Sequence, residues 1–214
     1  MEWKKEIPAI FYRILPAIIL LLAFILFSFP ANNAAHAPIS PDEVVNSYFS
    51  SLYAGTGNLT YESGLSDISP NFFRPRGSVL VDDANIASGK FLGYPIIIGT
   101  MGIVLTSEAT TLLVPFLATI GSYFLYLIVR REFNEKIAII SLSVAVVTSS
   151  IWYWSTMYWY EDALALFFIL GGLHYLLKSV DREVWSPFLL TSLFIGFAIL
   201  IKPFFAVMIL PMIL

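Results

Sequence analysis

Long runs of residues without charge constrain this sequence more than any other feature. The first run, Ile7 to Phe29, contains a single charged residue, Arg13. Further apolar runs follow at Ala109 to Val129, Ile137 to Tyr153, Ala163 to Leu177, Pro187 to Ile201 and Pro203 to Leu214. About 20 apolar residues suffice for a helix to cross a bilayer. Only 13% of the residues are charged, against about 25% in soluble domains. We therefore predict an all-α fold, a polytopic bundle of transmembrane helices.

Charge and cysteine content exclude several functions. The formal net charge is -3 and the basic residues form no patch, so nucleic acid is not an expected partner. The chain has no cysteine, which excludes disulfide bonds, thiolate metal sites and a cysteine nucleophile. Membrane lipids are the expected surroundings of most of the chain.

Composition divides the chain into three parts. Residues 1–30 form a first span, and residues 31–108 form a polar loop with juxtamembrane or re-entrant helices. Residues 109–214 form a bundle of about four to five spans, the last of them incomplete. The basic start and the tripeptide Ala35-His36-Ala37 also fit a cleaved signal peptide, although the first run is longer than a usual signal core.

The basic residues orient these spans. The segment Phe91 to Leu105 is apolar, but it is short and interrupted by glycine and proline. If it does not cross the membrane, three basic clusters fall on one side: Lys4, Lys5 and Arg13; Arg130, Arg131 and Lys136; Lys178 and Arg182. Short cytoplasmic loops are rich in Lys and Arg. We therefore predict a multi-pass protein of the cell membrane with a cytoplasmic amino terminus, an extracytoplasmic 31–108 loop and a re-entrant or interfacial Phe91–Leu105 helix.

The segment Ser40-Pro41-Asp42-Glu43 has the features of a helix start. Ser at the N-cap, Pro at the first position and Glu at the third form a capping box. Capping accounts for Glu43, whereas Asp42 either stabilises the helix N-terminus through its charge or takes part in catalysis. The apolar residues that follow at helical spacing predict a helix lying on the membrane face or on neighbouring spans.

A second acidic pair and several cations lie at the same predicted surface. Glu161-Asp162 is either a solvated helix start or a functional pair at the membrane edge, with Asp162 as the candidate. Lys202 either extends toward solvent or binds an anion such as the phosphate of a lipid carrier. Three loop cations either bind the same anion or are solvated: Lys90, Arg74 and Arg76.

Five segments occur in an order that is similar to one known family. They are Pro41-Asp42-Glu43 with Tyr48, Gly89-Lys90 with Gly93-Tyr94-Pro95, Phe124 to Lys136, Asp162 with Phe167-Phe168, and Gly196 to Lys202-Pro203. Together they resemble the amino-terminal transmembrane module of a GT-C superfamily membrane glycosyltransferase. The closest resemblance is to family 39 and to the aminoarabinose and protein mannosyl transferases. In this chain Phe91-Leu92 stands where the family has a Pro-Pro pair.

The resemblance implies transfer of a sugar from a polyprenyl-phosphate donor to a protein or lipid acceptor on the extracytoplasmic face. Asp42 is then the expected general base, and Lys202 is the first candidate for binding the donor phosphate. The further phosphate candidates are Lys90, Arg74 and Arg76. Asp162 would orient the acceptor, pair with a cation or hold a metal ion. The sequence establishes no cofactor. A divalent metal ion held by Asp42 and Asp162 is the candidate.

Other interpretations stay open at this level. Relatives carry more spans, so the chain is expected to be a fragment, one half of a fold that a second polypeptide completes, or a short stand-alone form. Shortness favours a non-catalytic membrane subunit or a lipid-carrier binding protein, whereas Asp42, Asp162 and Lys202 favour an enzyme. A transporter is less favoured because no inverted repeat is visible.

Overall fold

Helices form most of the structure, a computed structural model that describes residues 9–29, 40–62, 76–82, 85–148, 159–182 and 185–207. The helices are α1 Ala9–Ser28, α2 Pro41–Thr56, α3 Gly93–Val104, α4 Ser107–Thr111, α5 Leu113–Glu132, α6 Glu135–Thr148, α7 Glu161–Arg182 and α8 Trp185–Ile201. Three short strands are β1 Thr60–Glu62, β2 Ser78–Leu80 and β3 Asn85–Ser88. The predicted all-α membrane fold is confirmed.

Two helices among the described residues are long and apolar enough to cross a membrane, Ala109–Glu132 and Glu161–Asp181. Shorter apolar helices cover Ile14–Ser28, Gly93–Val104 and Trp185–Ile201. At 12 residues and 1.5 Å per residue, α3 is about 18 Å long, which is less than the roughly 30 Å of a hydrocarbon core. The number of crossings and the three-part division of the chain stay predictions.

The helical bundle is built around α5. Gly121 of α5 contacts Phe167 of α7, and Arg131 near the end of α5 binds Asp181 near the end of α7 through two nitrogens, at 3.0 and 2.7 Å. These two helices therefore run in the same direction. The ring of Phe24, near the end of α1, packs on Phe116 at the start of α5, so α1 runs the opposite way. Large apolar side chains cover much of the outside, as expected for surfaces that face lipid.

The helix α2 begins as its sequence predicts. Ser40 accepts from the amide of Glu43, and Glu43 accepts from the amide of Ser40, both at 3.2 Å. A left-handed Gly57, with φ of 72°, ends the helix. This is the C-terminal position at which glycine has the smallest conformational cost.

The loop contains a small sheet that the sequence analysis does not predict. Its strands are antiparallel in the order β1-β3-β2, with Ile86 of β3 opposite both Tyr61 and Leu80. Val45 and Phe49 of α2 are buried against Ile86. Part of the apolar face of α2 thus packs on this sheet, because one residue from each short strand, Tyr61, Leu80 and Ile86, supplies a partner within the loop itself.

The start of α3 lies in unusually close contact with the end of α8. A Cβ atom built on Gly93 would stand 2.3 Å from the carbonyl oxygen of Leu200 and 2.7 Å from the amide nitrogen of Ile201. Both atoms are backbone, which cannot rotate away as a side chain can. Only glycine lets these two helices approach so closely.

Substitution Gly93→Ala tests this contact. The added methyl forces α3 and α8 apart, and overpacking of this kind typically costs about 1–3 kcal/mol. We expect a lower melting temperature in a thermal unfolding assay of the detergent-purified protein. The matched control is Gly196→Ala on α8, where a Cβ meets nothing within 4 Å. A Gly93→Ala protein as stable as this control would show that the two helices are not in contact.

Candidate functional site

Five charged side chains meet where four segments of the chain end or begin. Asp42 lies in the first turn of α2. Glu161 and Asp162 lie in the first turn of α7. Lys90 stands in the turn between β3 and α3, and Lys202 directly follows α8. We call these five residues the charge cluster.

Opposite charges alternate through the charge cluster. The Nζ atom of Lys90 lies 2.8 Å from Oδ2 of Asp42 and 3.9 Å from Oε1 of Glu161. The Nζ atom of Lys202 lies 3.7 Å from the same Oε1 and 2.6 Å from Oδ1 of Asp162. Glu161 therefore stands between the two lysines, and each lysine has a second carboxylate on its outer side.

The members of the charge cluster differ in burial. The Glu161 side chain is 8% exposed, whereas Asp42 and Asp162 are 29% and 31% exposed. Lys90 and Lys202 are 30% and 18% exposed. Both lysines and both aspartates are thus accessible to solvent, so a dissolved anion can reach the lysines. Glu161 is the buried member of the cluster.

Neutral groups complete the surroundings of Glu161. The Nδ2 atom of Asn46 donates to Oε2 of Glu161 and to the carbonyl oxygen of Trp159, both at 2.8 Å. Asn46 itself is fully buried. Burial raises the pKa of the Tyr94 hydroxyl well above its ordinary value, and the carboxylates of Glu161 and Glu43 raise this pKa further. Tyr94 therefore stays a neutral, polar neighbour of the acidic groups at any physiological pH.

Local structure explains why these side chains occupy their positions. Asp42, Glu161 and Asp162 stand at helix N-termini and Lys202 at a helix C-terminus, where each charge complements the helix dipole by about 0.3–1 kcal/mol. The amide of Lys202 donates to the carbonyl of Ala198 at 2.9 Å and so continues α8. The turn that carries Lys90 is fixed by a hydrogen bond of 3.0 Å from its amide to the hydroxyl of Ser88.

The structure brings together four of the residues that the sequence singles out: Asp42, Asp162, Lys90 and Lys202. Their chemical roles stay predictions. Arg76 precedes β2 with an exposed side chain and forms no ion pair within the described ranges. Arg74 lies outside the residues that the structure describes.

The proposed pair of metal ligands does not fit a divalent ion in this arrangement. Asp42 and Asp162 each bind a lysine ammonium group directly, and a cation between them would have to displace both. Within the ranges that are described, no three His, Cys, Asp or Glu side chains are grouped as metal ligands would be.

Sequence reasoning missed the importance of Glu161 and did not find Asn46. In the sequence Glu161 is only the neighbour of Asp162, since a helix start accounts for either acid equally well. Asn46 had a detectable signal, because it lies one helical turn after Asp42 and beside the apolar positions Val45 and Phe49. A buried amide on that face requires a hydrogen-bond partner.

Trp159 links the surroundings of Glu161 to a cavity. A cavity of about 290 Å³ between α2, α3 and α4 is lined by Ser50, Thr110 and Trp159, among others. The backbone carbonyl of Trp159 also accepts a hydrogen bond from Asn46, which in turn donates to Glu161. Two ammonium groups and two accessible carboxylates can together bind an anion and accept a proton.

Comparison with known proteins identifies a matching family. The model of a family described as dolichyl-phosphate-mannose-protein mannosyltransferase matches residues 92–214. The match contains Glu161, Asp162 and Lys202, whereas Asp42 and Lys90 precede it. No curated protein and no solved structure shows significant similarity to the chain.

Substitution Lys202→Met tests whether the charge cluster stabilises the fold. It leaves Asp162 without its closest cation and Glu161 with Lys90 alone. Breaking a partly buried pair is expected to cost about 1–3 kcal/mol, between the values for exposed and fully buried pairs. Denaturant unfolding of the purified protein measures this cost. Lys136→Met, at an exposed position of α6, serves as the control and should stay within about 0.5 kcal/mol of the wild type. Equal effects of the two substitutions would contradict the prediction.

Proposed function

Because the chain belongs to the dolichyl-phosphate-mannose-protein mannosyltransferase family, a family of membrane glycosyltransferases, we propose a specific reaction for it. The chain transfers a sugar from a polyprenyl-phosphate donor to a protein or lipid acceptor at the extracytoplasmic face, with Asp42 as the general base. Mannose is the first sugar to test, since the family description names it. The observation that carries this proposal is the ion pair of Asp42 with Lys90, which shares one buried carboxylate, Glu161, with Lys202.

The two lysines bind the phosphate of the donor in this proposal. Lys90 and Lys202 are accessible and lie within 4 Å of a single oxygen of Glu161. A phosphate oxygen that approaches them takes the places that Asp42 and Asp162 occupy without substrate. Fixed cations at a low-dielectric boundary stabilise developing charge better than cations in water.

Asp42 accepts the proton of the acceptor. When the donor phosphate replaces the Asp42 carboxylate at Lys90, that carboxylate becomes free to hydrogen-bond the acceptor hydroxyl. The hydroxyl oxygen forms a bond to the anomeric carbon, and the bond from that carbon to the phosphate oxygen breaks. The electron pair leaves with the phosphate, while the proton goes to Asp42. A correctly placed base of this kind contributes about 10²- to 10⁴-fold to a rate.

Asp162 orients the acceptor or keeps Lys202 in place. Its Oδ1 atom is 2.6 Å from Nζ of Lys202, and its side chain is partly accessible. It stands on the other side of the two lysines from Asp42. A second carboxylate at this position keeps the resting site from binding other anions tightly.

The helix directions support a multi-pass topology with the site outside the cytoplasm. The charge cluster lies at the end of the bundle where α5 and α7 begin, and Arg130, Arg131 and Asp181 lie at the other end. Helix α1 ends on the side of the cluster, so its start at Ala9 is on the basic side. Basic residues collect in the cytoplasm in most membrane proteins.

Single cysteines test this topology without interference, because the chain has none of its own. Asn58→Cys is placed in the loop after α2, and Lys136→Cys near the start of α6, both at exposed positions. In intact cells, a membrane-impermeant maleimide is expected to label the first protein and to label the second only after permeabilisation. The reverse pattern would place the charge cluster on the cytoplasmic side and refute the proposed face of transfer.

Substitution Asp42→Asn tests the general base. Release or transfer of sugar from radiolabelled polyprenyl-phosphate mannose is measured with the full chain in lipid nanodiscs. We expect a loss of at least about 100-fold in rate, since the amide cannot take the proton. Glu62→Gln, an exposed carboxylate at the end of β1, is the matched control and should retain the wild-type rate.

The outcomes separate the proposed enzyme from its alternatives. Full activity of a folded Asp42→Asn protein would refute the base assignment. Binding of donor without turnover by the wild type would instead support a lipid-carrier binding module that needs a second polypeptide for chemistry.

A further inference from the structure

One charged residue of the cluster has no part in the proposed reaction. Glu161 is the least exposed of the five, so it does not meet the acceptor as Asp42 does. A buried carboxylate is costly unless its oxygens are bonded. In this structure Oε1 faces both lysines and Oε2 accepts from Asn46.

A role in helix capping alone does not account for this arrangement. The neighbouring Asp162 already supplies a negative charge to the first turn of α7, and it does so at a third of full exposure. Glu161 instead points into the protein, toward the side chain of Asn46 from α2. That amide is fully buried and fixes the orientation of the carboxylate.

We propose that Glu161 is a positioning residue that joins Lys90 and Lys202 into one two-pronged phosphate clamp. This inference rests on the proposed function, since it assigns the way in which the same site recognises the donor phosphate. The shared Oε1 atom lies 3.9 and 3.7 Å from two ammonium groups that would otherwise repel each other. Its charge keeps both ammonium groups near one point before the donor arrives, so little ordering is required on binding.

Burial distinguishes Glu161, the permanent partner of the two lysines, from Asp42 and Asp162, which the donor phosphate can replace. Asp42 and Asp162 are accessible and each binds one lysine on its outer side. The donor phosphate replaces these outer contacts. Glu161, below both lysines and bonded to Asn46, remains in place throughout the reaction.

This arrangement predicts that removal of the Glu161 carboxylate changes phosphate binding in opposite directions with and without Lys90. With both lysines present, removing the carboxylate separates the two prongs, and phosphate binding weakens. With Lys90 removed, Glu161 pairs with Lys202 alone and competes with the phosphate. Removing the carboxylate in that background then strengthens phosphate binding. A change of sign between the two backgrounds is the signature of a shared counter-ion.

Four proteins measure this coupling: the wild type, Glu161→Gln, Lys90→Met and the double variant. The probe is a polyprenyl phosphate, and the polyprenol with the same tail reports binding of the lipid alone. Binding to the full chain in nanodiscs is followed by native mass spectrometry. We expect Glu161→Gln to weaken selective phosphate binding about fivefold in the wild type and to strengthen it by a similar factor in Lys90→Met, within the range of couplings between contacting residues.

Each other result overturns the proposal in a recognisable way. Strengthening in both backgrounds would make Glu161 a simple repulsive charge, and weakening in both would make it a structural residue. Glu62→Gln is the control that should change neither. Equal binding of polyprenol and polyprenyl phosphate by the wild type would refute the proposed function itself, whereas selective binding without the sign change refutes only the role of Glu161.

A second variant keeps the test decisive if Glu161→Gln does not fold. Asn46→Ala retains the carboxylate and removes the hydrogen bond that orients it. It is expected to weaken selective phosphate binding in the wild type by a smaller factor, about twofold, and to have no such effect in Lys90→Met. A folded Asn46→Ala protein with wild-type selectivity would overturn the inference.

Discussion

A buried carboxylate shared by two lysines is the interaction on which the site depends. A charge at the edge of a membrane-embedded bundle is tolerated only with partners in place. Glu161 obtains these partners from three other segments: Asn46 of α2, Lys90 before α3 and Lys202 after α8. Burying the Glu161 carboxylate without these partners would cost free energy, which favours the one arrangement in which the three segments converge on it.

Backbone packing makes that convergence geometrically feasible. The contact of Gly93 with the backbone of Leu200 draws the start of α3 to the end of α8, and Lys90 and Lys202 lie just beyond those two points. Gly99 of α3 similarly approaches the carbonyl of Ser50 in α2. Glycines therefore allow α3 to approach α8 and α2 closely. The ion pairs of the charge cluster then favour the arrangement in which oppositely charged side chains face each other.

The site joins two regions that differ in their similarity to known proteins. The family match over residues 92–214 contains one lysine and the acidic pair. The loop before it adds Asp42 and Lys90, held by a capping box and by the turn after a small sheet. The groups assigned to proton transfer and to phosphate binding thus come from both regions, and neither region alone forms the charge cluster.

The sequence by itself determined the membrane fold, the start of α2 and the charged residues of interest, because apolar run length and capping chemistry are local properties. Through the predicted membrane topology it also placed Asp42, Asp162, Lys90 and Lys202 at one surface, together with Arg74 and Arg76. Only the tertiary structure decided that Glu161 lies between the lysines, and that α2 packs on a sheet. Two adjacent acids at a helix start are equivalent in sequence, and only the tertiary structure places one of them under Asn46 of α2 and leaves the other partly at the surface.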